Sequence, residues 1–211
     1  MKYTFILALL ASTLLAKDVT VKITKDIPFI MTKDSGQQIK VERIQDTNNR
    51  LTDDYTKTSR ACPPFCIQPT KVDADIKNIE EVEIISFMEN QVENNTGVII
   101  DARLKSWYEL ESIPLAINIP FPLLENASKA KAEKIFKILG MKIKNDGSWD
   151  FSKAKELAIF DNGLWCEQGK RFINGLIKHN YPKNKLLHYR SGFQGWKILG
   201  LTTIIRKEIK K

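Results

Sequence analysis

Leu157-Ala158-Ile159-Phe160 runs directly into Asp161-Asn162-Gly163-Leu164-Trp165-Cys166-Glu167-Gln168-Gly169-Lys170-Arg171, and the fold class follows from these residues. The unbroken apolar run reads as a short strand buried on both faces, as strands of parallel sheets are. Residues 169–180 then read as a helix, so Cys166 lies between a strand end and a helix start. A sulfur placed there meets unpaired backbone N–H groups and the positive end of the helix dipole, which both favour thiolate over thiol. Lys170 and Arg171 add positive charge within the same turn, and Glu167 opposes them. The expectation is an anion cradle holding a nucleophilic sulfur.

Outward from this segment the chain alternates strands and helices. Val98-Ile99-Ile100-Asp101 reads as a strand ending in a carboxylate, Ala116-Ile117-Asn118-Ile119-Pro120 as one stopped by proline, and Leu186-Leu187-His188-Tyr189 as another. Helices are predicted over 81–92, with Val82, Ile85, Met88 and Val92 on one face, and over 129–139, with Gly140 as the cap. A glycine-rich turn then leads into Trp196–Leu199. This order predicts an α/β fold, a central parallel sheet flanked by helices. Ligands in such sheets sit beyond the carboxyl ends of the strands, which selects Asp101 and the 161–171 segment. Upstream, Val19, Val21 and Ile23 alternate, as do Ile39 and Val41 after the turn Lys33-Asp34-Ser35-Gly36. They predict a small β-hairpin. Residues 45–57 are polar and read as a loop. Arg60-Ala61-Cys62-Pro63-Pro64-Phe65-Cys66-Ile67-Gln68-Pro69 reads as a rigid turn.

Several of these segments together resemble the rhodanese-like family. Cys166-Glu167-Gln168-Gly169-Lys170-Arg171 fits the family's active loop C-x-x-G-x-R, and Asp101-Ala102-Arg103 its D-x-R strand end. Ala116 to Pro120 is similar to its A-I-N-I-P strand, and Tyr189-Arg190-Ser191-Gly192-Phe193-Gln194-Gly195-Trp196 to its closing segment. The matches fall in the family's order over residues 78–205. Departures are Glu111-Ser112-Ile113-Pro114-Leu115-Ala116 in place of G-H-I-P-G-A, and Ser191 for the first closing glycine. The Asp161–Trp165 run also separates strand from cysteine. The resemblance implies a sulfurtransferase in which Cys166 forms a persulfide. Backbone N–H groups of Glu167 to Arg171 would stabilise it, Arg171 would brace the loop, Lys170 would meet the donor anion, and Asp101 and Arg103 would support the rim or serve structurally. Spacing argues against a cysteine phosphatase, which needs arginine six positions after the cysteine, where Phe172 stands. The absence of C-x-x-C argues against a thioredoxin.

Composition bounds the remainder. The 211 residues carry 33 Lys and Arg against 25 Asp and Glu, a net charge of +8, with 43% hydrophobic residues. This excludes a wholly disordered chain, a collagen-like repeat and a multi-span membrane protein. The positive charge is scattered over lysines without a basic-aromatic block, so nucleic acid is not an expected partner. Met1-Lys2 followed by an uncharged stretch to Ala16 has the shape of a secretory signal, too short to span a bilayer. The expected organisation is a signal peptide at 1–16, a β-rich extension at 17–77, the rhodanese-like domain at 78–205 and a basic tail at 206–211. The expected location is the periplasm. There Cys62 and Cys66 could close a disulfide or relay sulfur or electrons with Cys166. No cofactor or metal is called for: no histidine lies near Cys62 and Cys66, and His179 and His188 read as structural. Trp165 and Trp196 read as packing residues. The expected partners are a small sulfur-containing anion, a thiol or cyanide acceptor, and a protein acceptor. Alternatives are a non-catalytic binding or sulfur-carrier module of the same fold and an exported thiol–disulfide protein.

Overall fold

The computed structural model describes residues 19–206; the expected signal peptide and most of the expected basic tail lie outside them. A five-stranded parallel sheet runs in the order β3-β9-β8-β4-β5. Its strands are Lys77–Ile79 (β3), Gly97–Asp101 (β4), Ile117–Asn118 (β5), Glu156–Phe160 (β8) and Leu186–Tyr189 (β9). The central pair β4 and β8 register Val98 with Leu157 and Asp101 with Phe160, which brings both carboxyl ends to one edge. Their apolar runs are buried because both faces are covered. Ile100, Leu157 and Ile159 pack on one side with Phe136, Phe172 and Leu176; Ile99, Ala158 and Phe160 pack on the other with Ile84, Phe193 and Trp196. Helices Pro122–Glu125 (α3), Lys129–Ile138 (α4) and Gln168–Lys178 (α5) supply the first face. Glu81–Phe87 (α1) and Gly192–Ile198 (α6) supply the second, and Lys105–Leu110 (α2) follows β4. No helix among the described residues is long and apolar enough to cross a membrane.

Several expectations shift in detail. The predicted helix over 81–92 ends its α-helical part at Phe87 and continues as one wider π-helical turn over Met88–Val92, and Val82 faces solvent while Ile84 and Ile85 are buried. The hairpin turn is where the sequence places it, but the first strand is Phe29–Asp34 (β1), not the Val19–Ile23 run. It pairs with Gln37–Glu42 (β2) in a register that sets Asp34 opposite Gln37. The reason is the turn itself. Ser35 and Gly36 both take positive φ, a two-residue turn that can pair only the residues immediately before and after it. A second small hairpin, Lys142–Ile143 (β6) with Trp149–Asp150 (β7), is one the sequence pattern does not signal.

The extension is packed onto the α1 and α6 face rather than hanging from it. Ile30, Val41 and Tyr55 are buried in that core. Arg43 bridges to Leu201, and the Thr202 hydroxyl accepts from the Glu42 N–H at 3.0 Å. Arg206, assigned above to a basic tail, is part of the fold: its guanidinium donates to both carboxylate oxygens of Asp34 at 2.6 and 2.7 Å. Residues 172 positions apart form this pair, which local composition does not signal.

Candidate active site

The segment from Asp161 to Glu167 leaves β8 and enters α5 as a compact loop rather than a direct strand-to-helix turn. Its carbonyls at Asp161 and Asn162 accept the N–H groups of Phe193 and Gln194 at 2.8 and 3.1 Å, which fasten the loop to the start of α6. Gly192 makes that approach possible. It has φ +58°, and a Cβ there would sit 2.5 Å from the Asp161 carbonyl oxygen. Cys166 closes the loop through its N–H on the Gly163 carbonyl, 2.9 Å, and is buried with 9% of its surface exposed. The Asn162 side-chain amide donates to Sγ at 3.7 Å, and the backbone N–H groups of Gln168 and Asn162 also point to the sulfur.

Electrostatics at the sulfur run opposite to the expectation from strand and helix ends. Burial, and then the charge of Asp161, push the Cys166 thiol up to about 12. Asp161 is fully buried and accepts from the Gly163 N–H at 3.0 Å and from the Gly169 N–H at 2.7 Å. The second contact places a carboxylate of the protein's own on the helix N-terminus expected to serve the thiolate. Burial raises Asp161 in turn to about 6, against the pull of those N–H groups. The cradle therefore exists, but an internal anion shares it.

The remaining predicted residues divide into two groups. Arg171 links the loop to α3. It donates to Glu125 of α3 at 2.5 and 2.7 Å, reaches Glu167 at 3.3 Å, and lies over the Phe121 ring. The Gln168 side chain accepts from the Leu104 N–H at 3.3 Å, tying the loop to the start of α2, and Lys170 makes no ion pair among the described residues. Asp101 and Arg103 are buried at the end of β4. Their side chains are 0% and 1% exposed and form a two-pronged ion pair at 2.9 and 2.6 Å. Arg103 also donates to the Glu111 carbonyl at 2.7 Å and stacks on Phe193. A guanidinium withdrawn from water needs all these acceptors, so its place is structural.

Tyr55, from a single 3-10 turn over Asp54–Thr56, is the residue sequence reasoning missed. Its hydroxyl accepts from Arg103 at 2.9 Å and donates to Asn162 at 2.7 Å, joining the buried ion pair to the loop. The signal available was one aromatic inside the mostly polar stretch 45–57. A cavity of about 410 Å³ has Tyr55, Arg103, Trp107 and Phe193 among its walls, and Cys166 does not line it. Cys62 and Cys66 are joined by a disulfide with Cα atoms 4.7 Å apart, and Cys166 is free. The disulfide turn docks on the active loop: the Gln68 N–H donates to the Leu164 carbonyl at 2.9 Å, and Phe65 and Arg60 pack on the Trp165 ring.

The family model described as Rhodanese-like domain matches residues 86–199, more than half of the chain, and takes in Asp101, the active loop and the closing helix. The chain belongs to the rhodanese-like family. Among solved structures, this rhodanese-like chain is similar to the thiosulfate sulfurtransferase of Pseudomonas aeruginosa at 16% identity, over 61% of this chain and 20% of that one, with a TM-score of 0.42. It is also similar to a 3-mercaptopyruvate sulfotransferase of Escherichia coli at 17% identity, over 57% and 43% of the two chains, TM-score 0.39. An As-Sb reductase of Leishmania major is 19% identical over 59% and 79%, TM-score 0.41. The rhodanese-like chain thus spans one fifth of the Pseudomonas protein's length. No curated protein matches it.

Proposed function

We propose that this protein is an exported sulfurtransferase that carries sulfane sulfur on Cys166. The observation that supports the reading best is the setting of Cys166: the one free thiol among the described residues sits at the carboxyl end of the parallel sheet, with N–H groups from Asn162 and Gln168 directed at it. In the proposed reaction the Cys166 thiolate attacks the outer sulfur of thiosulfate or a related donor. A Cys166 S–S bond forms, the donor S–S bond breaks, and its electron pair leaves with sulfite. A thiol or cyanide acceptor then attacks the outer sulfur of the persulfide, and the Cys166 S–S bond breaks with its pair returning to Sγ. The thiol proton must first depart. It leaves to base in solution, because the neighbouring Asp161 carboxylate raises the thiol rather than easing its ionisation. The loop N–H groups would stabilise the persulfide anion, and Lys170 would meet the donor.

Export to the periplasm rests on residues 1–16 and suits the Cys62–Cys66 disulfide. Sequencing the N-terminus of protein from its source cell tests it; retained Met1 would remove that part. Incubation with thiosulfate followed by intact-mass measurement tests the chemistry. A gain of one sulfur is expected in the native chain and none in Cys166→Ser, and a native chain without the gain would sink the proposal. A second reading, a sulfur-carrier or binding module without turnover, is favoured by the burial of Cys166, whose 9% exposure restricts the approach of an acceptor to the sulfur. It predicts that the persulfide loads but does not turn over with cyanide or thiol acceptors.

A further inference from the structure

We propose that Tyr55, contributed by the N-terminal extension, is a positioning residue for Cys166, aiming the Asn162 amide N–H at the sulfur. This deepens the sulfurtransferase reading by assigning the extension a part in the site, and it rests on Cys166 being the reacting group.

Hydrogen-bond direction sets the order of the groups. The Arg103 guanidinium can only donate, so the Tyr55 oxygen accepts from it at 2.9 Å. The single Tyr55 proton is then left for Asn162 Oδ1, 2.7 Å away. An amide whose oxygen faces Tyr55 turns its NH₂ the other way, and that NH₂ stands 3.7 Å from Sγ. Each donor in the series therefore points toward Cys166. A reversed amide would leave the Tyr55 proton without an acceptor and set its own oxygen against the sulfur, repelling a thiolate or persulfide. Burial also raises the Tyr55 hydroxyl, so it keeps the proton it donates. Packing holds the ring in place, 7% exposed and edge-on to Phe193 at 5.3 Å and to Trp107 at 6.1 Å.

The charged groups around the sulfur leave this polar chain with work to do. Asp161, on the same loop, opposes the thiolate, and Glu167 is engaged by Arg171. From the strand side the nearby charges are Asp101 and Arg103, which are paired with each other. From the extension, Arg60 is stacked over Trp165.

The test is the rate of iodoacetamide alkylation at Cys166 in the full chain, read by peptide mass between pH 7 and 9.5. Cys62 and Cys66 are protected there by their disulfide. Tyr55→Phe is expected to slow alkylation by about tenfold across that range, the loss of one hydrogen bond to a charged group. A purely structural role would move the rate the other way, because a loosened loop exposes the sulfur. An unchanged or faster rate in folded Tyr55→Phe overturns the proposal. Asn162→Ala carries the same test with Tyr55 in place: slower alkylation is expected, and an equal or faster rate overturns the proposal. In the Asn162→Ala background, Tyr55→Phe should add nothing, and additive losses would show that Tyr55 does not act through Asn162. Alkylation does not depend on sulfur transfer. A chain that takes no sulfur from thiosulfate yet shows this order of rates loses the sulfurtransferase reading and keeps Tyr55 as the residue that aims Asn162.

Discussion

Replacing Arg103 by methionine removes a charge while keeping much of the side chain's length. In the native fold the guanidinium gives Asp101 two hydrogen bonds and gives one each to the Tyr55 hydroxyl and the Glu111 carbonyl. The pair is sealed from water, with side chains 1% and 0% exposed, so the small values measured for surface ion pairs do not apply. What remains in Arg103→Met is a buried carboxylate held only by the Ser112 hydroxyl at 2.8 Å and the residue 103 N–H at 3.0 Å. Breaking a buried pair from one side costs about 3–5 kcal/mol. In a chain of this size each kcal/mol moves the melting midpoint by roughly 2–4 °C, so the variant should melt roughly 6–20 °C lower. Differential scanning calorimetry at pH 7 measures it. Adding Asp101→Leu should recover part of the loss, because two apolar side chains leave no stranded charge. If Arg103 instead met the sulfur donor at a rim, the variant would keep its midpoint and raise only the donor concentration needed for loading. That outcome would rule out a structural ion pair.

Asp161→Asn should lower the Cys166 pKa from about 12 by removing the adjacent negative charge, and so speed iodoacetamide alkylation at pH 8; an unchanged rate would assign the whole shift to burial. His188 is buried and its pKa is lowered from 6.5 to about 4, by burial and then by Arg190. The stability it lends is therefore complete above pH 6.5 and lost as pH falls toward 4, by ~3 kcal/mol. His188→Leu should flatten the fall in melting midpoint over that window, and an undiminished slope would contradict it. Thiol titration of the denatured, unreduced protein should return one free group, from Cys166; three would mean that the Cys62–Cys66 bond is absent in solution.

Strand runs, the C-x-x-G-x-R loop and the Ser35-Gly36 turn are legible in the residues because each is a pattern within a few positions of the chain. Ile99, Ile100, Ala158 and Ile159 had to be buried on both faces, and a sheet covered by helices is how a chain buries such runs. The first hairpin strand is misplaced by the sequence pattern because alternation at Val19, Val21 and Ile23 competes equally with Phe29–Asp34 until the tight turn selects its neighbour. The state of Cys166 is not legible at all. Its field is a sum over groups brought together by folding: Asp161 turned back onto the Gly169 N–H, and Tyr55 reaching Asn162 across 107 positions and Arg103 across 48. Local pattern alone was enough to stand a cysteine at the end of a buried strand before a helix. Folding in three dimensions settled the rest: a carboxylate shares the helix end, Asp101 and Arg103 are sealed in the interior, and the extension supplies a hydroxyl to the site. Hydrophobic periodicity is a local property of the chain, whereas desolvation and charge at one atom depend on everything folded around it.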